Sequence, residues 1–191
     1  MILEDVILPV RAEPIVLAWP CNGRAGGFLQ FNHPDQWRAF VDSLGIHPVI
    51  PTIVTGKFAR AQALYLLGWF DAGLIKAGEL AALVALELAI TDRYGGAYKT
   101  KPSFSALLKH MVAVDGLTDA DIPMVVRCGG TAIGQLTGTT HPTLAERRNS
   151  LAHGDPFEGW PTAGLLELVR DLINFAYRGY IAEAVAAGAV R

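Results

Sequence analysis

The stretch LIKAGELAALVALELAITDRYGG, residues 74–96, is apolar almost all the way round a helix. A helix with no wide polar face belongs in the middle of a bundle, with neighbours on every side. The run from Leu74 to Ile90 is 17 residues long, close to the length of a membrane span, but Lys76, Glu79 and Glu87 interrupt it and each is costly in lipid. It therefore reads as a buried central helix, and no membrane partner is expected. Gly95 and Gly96 end it, and Gly73 marks a junction with a preceding helix in FARAQALYLLGWFDAG, residues 58–73.

Downstream, SFSALLKHMVAVDG (103–116) predicts a shorter third helix introduced by Pro102 and Ser103, and DADIPMVVRCG (119–129) a short helical or irregular piece. GGTAIGQLTGTTHPT (129–143), rich in Gly and Thr, predicts a mobile loop. Thr143 and Glu146 have the spacing of a capping box, so a new helix is expected to start there and to stop at Gly154 in a left-handed conformation. Leu165, Leu168, Leu172, Phe175, Tyr177 and Ile181 then predict one closing helix from about Ala163 to Ala187.

Upstream the texture changes. DVILPVRAEPIVLAWP (5–20) and IHPVIPTIVTG (46–56) are short β-branched runs broken by prolines, which predicts edge strands or extended segments. Between them NHPDQWRAFVDSLG (32–45) predicts one short amphipathic helix, with Asn32 as cap and Pro34 in the first turn. The expected organisation is an appended element over residues 1–56, with short strands and one short helix, followed by a helical domain over 57–191. The fold class is mainly α, a bundle of about four to five helices.

The length of 191 residues suits one principal core. Sixteen Lys and Arg against 18 Asp and Glu give a net charge of −2, so no global field draws the chain onto nucleic acid and any polyanion must meet a local patch. Two distant cysteines without a C-x-x-C pair, and an acidic start where a secretory leader carries positive charge, predict a reducing, cytoplasmic setting. Scattered histidines and the lack of an H-E-x-x-H pattern predict no metal site. Gly129 and Gly134 have P-loop spacing, but Gln135 and Leu136 stand where that loop needs Lys and Ser or Thr, which argues against a nucleoside triphosphate.

Polar chemistry gathers in AERRNSLAHG, residues 145–154. On a helix Asn149 and His153 share a face, whereas Arg148 and His153 are about 140° apart around the axis. A two-fold partner closes that gap by bringing Arg of one chain to His of the other. Metal-free RNA cleavage needs a base for the 2′-hydroxyl, cationic donors on the phosphate and an acid for the leaving 5′-oxygen. Histidine suits proton transfer near neutral pH and arginine suits phosphate. The catalytic candidates are Arg148 and His153, with Asn149, Arg147 and Ser150 as substrate-binding groups. Glu87 is a supporting candidate, a carboxylate on a core helix expected to meet an arginine of a neighbouring helix. Arg93, Lys99, Lys101 and Lys109 could guide an RNA strand.

RRNSLAHG resembles the signature of the HEPN superfamily (higher eukaryotes and prokaryotes nucleotide-binding), an Arg with a polar follower, four to six positions, then His. Arg148, Asn149 and His153 match it, with four residues between Arg148 and His153, and ALELAITDRYG with its Glu87 is similar to the second-helix pattern of many members. The resemblance runs over residues 58–97, 103–112 and 143–187 and covers about two thirds of the chain. It implies an all-α bundle that forms a homodimer with the two motifs facing each other, needs no cofactor and cuts RNA without metal, as toxins and phage-defence effectors of the family do, with an antitoxin protein as a further partner. Two other readings stay open: a catalytically inert HEPN-like dimer that binds a nucleotide or a protein, and a helical antitoxin, adaptor or structural subunit.

Overall fold

In the computed structural model, residues 6–154 and 160–188 are described. The apolar stretch forms the longest helix, α3 (Gly73–Tyr94), and it packs against α2 (Thr52–Leu67), α4 (Phe104–Ala113), α7 (Leu144–His153) and α8 (Leu165–Ala176). Ile75, Ala82, Leu83, Ala85, Leu86, Ala89 and Ile90 are all buried along it, which is why its sequence is apolar on every side. Small residues bring α2 close: a Cβ at Gly78 would lie 2.6 Å from Cδ2 of Tyr65. Gly78→Ala, which gains helix propensity, is therefore expected to destabilise the fold by about 1–3 kcal/mol through overpacking, read from a denaturant midpoint.

The remaining elements are β1 (Ile15–Ala18), β2 (Phe28–Phe31), α1 (Pro34–Asp42), α5 (Pro123–Cys128), α6 (Ile133–Thr137) and α9 (Arg178–Ala186), with single 3₁₀ turns at Gly95–Ala97 and Asp119–Asp121. The protein is mainly helical, with nine α-helices among the described residues and a small antiparallel ribbon in which Ile15 faces Phe31 and Ala18 faces Phe28. A two-stranded ribbon is marginal alone. Here its buried side chains Ile15, Leu17 and Phe31 join the core. Phe31 meets Trp37 and Phe40 of α1 with ring centroids 5.0 Å apart, and Trp19 donates to Glu167 of α8 at 2.9 Å. One continuous hydrophobic cluster runs from Leu8 to Tyr177 and includes this N-terminal element.

Four local expectations change. TIVTG, expected as extended, is the first turn and a half of α2: Val54, Phe58, Ala61 and Tyr65 recur at helical spacing and all bury, and that packing outweighs the β-branched preference, with Pro51 as the N-cap residue. The residue preceding α1 is His33 rather than Asn32, and Gln36 Oε1 accepts from the backbone N–H of both. Within the expected loop 129–143, residues 133–137 form α6, because Ala132 and Leu136 bury and Asp119 accepts the N–H groups of Ala132 (2.8 Å) and Ile133 (3.3 Å). The single closing helix is two, divided at Tyr177, whose hydroxyl donates to Asp92 of α3 at 2.6 Å. The short helices α5, α6 and α9 thus raise the number after the N-terminal element above the four to five expected for the bundle, while α1 is the short helix expected within that element. Among the described residues no helix is long and apolar enough to cross a membrane.

Candidate functional site

The motif decapeptide is helical as its caps dictate. Glu146 N–H donates to Thr143 Oγ1 at 3.1 Å and Thr143 N–H donates to Glu146 Oε2 at 2.8 Å, while Gly154 ends the helix at φ 83° and ψ 95°, a positive-φ conformation outside the left-handed helical one expected. The Glu146 carboxylate also meets His141 Nδ1 at 2.9 Å, and that contact, with the Thr143 N–H, holds its pKa below the ordinary carboxylate value.

Packing of α7 on α3 divides the motif residues between different surroundings. Arg148 points to α3, where Nη2 and Nε donate to Glu87 Oε2 at 2.7 and 3.0 Å. Its Nη1 donates to Asn149 Oδ1 at 3.1 Å. The guanidinium is thus fixed from two sides while its side chain stays 30% exposed, and Glu87 is 27% exposed. His153 is exposed at the end of α7 and its ring makes no hydrogen bond among the described residues. Within one chain Arg148 and His153 are not hydrogen-bonded to each other, and Asn149 holds the arginine rather than the imidazole.

Arg147 lies on another side of the same helix. Its Nη1 donates to Thr162 Oγ1 at 3.3 Å, and with Ser150 and Leu151 it lines a recess away from Glu87. Spacing accounts for this: residues 147, 150 and 151 form one stripe of a helix, and 148 falls outside it. Arg93, Lys99, Lys101 and Lys109 are all exposed, on the last turn of α3, the segment after it and α4. Arg93 lies over the Tyr177 ring, 5.3 Å from its centroid.

Glu87 was expected to be the buried acid of the central helix, but Glu79 holds that place, at 0% exposure. Its Oε1 accepts from the Thr162 N–H, and its Oε2 lies 3.3 Å from the Lys76 ammonium without hydrogen-bond geometry. Burial raises the Glu79 pKa against the opposing pull of Lys76 and Thr162. The Tyr65 hydroxyl is also buried and unpartnered, and burial together with the Glu79 charge pushes its pKa far up. The signal for Glu79 was in the spacing: it is four residues from both Ile75 and Leu83, on the buried side of α3.

A raised carboxylate pKa means that the folded chain holds its proton above the pH at which the unfolded chain releases it. Glu79 is therefore expected to make stability fall as pH rises from the ordinary carboxylate value of about 4.5 through its folded value. Urea midpoints at about pH 5 and about pH 8 should differ less in Glu79→Gln than in the wild type. An unchanged difference would remove Glu79 from this role.

A second network joins α5 to α8: Arg127 Nη2 reaches both oxygens of Glu167 at 2.8 and 2.7 Å, and Arg170 Nη2 contacts Glu167 at 3.2 Å and Asp171 at 2.7 Å. Asp171 Oδ2 accepts the Met124 N–H at 2.8 Å, so this network closes the start of α5. Among the described residues no group of three or more His, Cys, Asp or Glu is placed to hold a metal ion. Comparison with family models, curated proteins and solved structures finds no significant match to this chain.

Proposed function

We propose that the protein is a metal-independent RNA endonuclease that works as a homodimer, with Arg148 on the scissile phosphate and His153 moving protons. The observation that carries this reading is on α7: a half-exposed guanidinium oriented by Glu87 and Asn149, and on the same helix an exposed imidazole with no hydrogen bond among the described residues. In the reaction the 2′-oxygen forms its bond to phosphorus as the bond from phosphorus to the 5′-oxygen breaks; His153 of one protomer takes the 2′-hydroxyl proton and His153 of the other delivers a proton to the leaving 5′-oxygen. The products are a 2′,3′-cyclic phosphate and a 5′-hydroxyl. Arg148 donates to the nonbridging oxygens, whose charge grows in the transition state. Exposed Arg93, Lys99, Lys101 and Lys109 supply a local positive surface on a chain of net charge −2.

Because Arg148 and His153 are about 140° apart around α7 and are not hydrogen-bonded to each other in one chain, the reading requires a two-fold partner. The test is cleavage of labelled RNA with excess chelator, with DNA of the same sequence as control, alongside sedimentation to measure the dimer. RNA cut in chelator, DNA left intact and a dimer at the assay concentration are the expected results. A folded monomer at all concentrations, or cutting that chelator abolishes, would refute the proposal.

The Glu87–Arg148 ion pair favours a second reading, an inert helical binding module or adaptor in which the arginine only braces α7 on α3. Both side chains are partly exposed, so Glu87→Gln is expected to cost about 1 kcal/mol or less in stability. In the nuclease it also loosens the guanidinium, and RNA cleavage should fall by about tenfold or more. A folded protein that leaves RNA intact, dimeric or not, supports the binding module.

A further inference from the structure

Arg127, Arg148, Arg170 and Arg178 are each held by a carboxylate. Arg147 is different. It has no ion-pair partner among the described residues, it donates only to the Thr162 hydroxyl, and its Nε is buried without a hydrogen-bond partner. A partly desolvated guanidinium left in this state is costly, and an anion is the partner that removes the cost.

The space for one is present. Arg147 borders a pocket of about 330 Å³ between the Gly129–Gly130 turn, α5 and the start of α8. Its walls include Met124, Val125, Leu165 and Leu168, and Gln135 and Thr162 add an amide and a hydroxyl. The Gln135 side chain is half-buried and makes no hydrogen bond among the described residues. Among the described residues no Asp or Glu lines the pocket, and Arg147 is the single formal charge on it. Small-molecule sites are concave, with apolar walls and a few converging polar groups; this pocket is concave, about as polar as it is apolar, and its volume lies at the small end of their range.

On its other side Arg147 borders a recess of about 320 Å³ that contains Glu146, and the Lys76 that lines it is already drawn to Glu79. That carboxylate repels an anion, so the acid-free pocket is the favoured side. One guanidinium without a second cation balances a monoanion, and its planar fork fits a carboxylate with two parallel hydrogen bonds. A phosphate dianion would leave one charge without a countercharge among the described lining residues.

We propose that this pocket binds a small organic carboxylate with a short aliphatic body, the carboxylate on Arg147 with Gln135 donating beside it, and the body against Met124, Leu165 and Leu168. The site is separate from Arg148 and His153 and does not depend on the nuclease reading. Its test is a calorimetric titration of the full chain with hexanoate, with hexanamide as uncharged isostere and inorganic phosphate as the competing anion. Hexanoate is expected to bind at least about tenfold more tightly than either, to lose about tenfold or more in Arg147→Met, to weaken in Gln135→Leu and to be unchanged in His153→Ala. Absence of hexanoate binding, equal binding of hexanamide, or undiminished binding to a folded Arg147→Met protein would overturn the site, and phosphate binding as tight as hexanoate would overturn the carboxylate assignment. Should Arg147→Met fail to fold, Gln135→Leu decides: a folded Gln135→Leu protein that binds hexanoate undiminished overturns the proposal.

Discussion

His153→Ala is expected to lower RNA cleavage in chelator by about 10²-fold or more while leaving the melting temperature unchanged. The size follows from the role: a positioned proton donor or acceptor contributes about 10²–10⁴-fold, and alanine has no group to replace it. The neutrality towards folding follows from the surroundings, since His153 is the exposed last residue of α7 and its ring bonds to no other described residue. Few substitutions separate chemistry from stability so cleanly. Cleavage must be compared between wild type and variant purified in parallel, because a trace contaminating ribonuclease would cut equally in both. Equal cleavage by the two folded proteins would end the nuclease proposal, even with a dimer present.

The largest stability effect is expected at the other end of the chain. Trp37 is fully buried, its indole N–H reaches the backbone carbonyls of Tyr65 (3.1 Å) and Leu66 (3.0 Å) at the end of α2, and its ring packs on Phe31 and Phe40. Trp37→Ala opens a large cavity and leaves those carbonyls without their indole donor, a loss of about 3–5 kcal/mol. For a chain of this length the melting temperature should fall by roughly 10 °C. The shape of the transition matters as much as the shift. With the continuous cluster from Leu8 to Tyr177, a single cooperative transition is expected in wild type and variant alike. Two transitions, only one of them moved by Trp37→Ala, would mean that residues 1–56 unfold as a unit of their own.

Much of the fold was legible in the chain because the relevant forces are local. The apolar period of residues 74–96 predicted α3, Gly95 followed it directly, and the Thr143 and Glu146 pair placed the start of α7. What escaped was set by burial at a distance. The β-branched TIVTG is helical because Val54 and Phe58 find the core, and α6 forms in a Gly- and Thr-rich segment because Asp119, remote in sequence, accepts its first N–H groups.

The candidate site divides along the same line. Residue order by itself determined that Arg148, Asn149 and His153 share one short helix, that its caps are built in, and that Arg148 and His153 stand about 140° apart. Only the packing of α7 on α3 decided that Glu87 and Asn149 hold Arg148, that Glu79 rather than Glu87 is the buried acid, and that Arg147, one residue away, opens into a different pocket. The reason is geometric. Helical spacing fixes directions around one axis, but the partner in each direction comes from segments tens of residues away, and their placement is settled by the burial of the whole core at once.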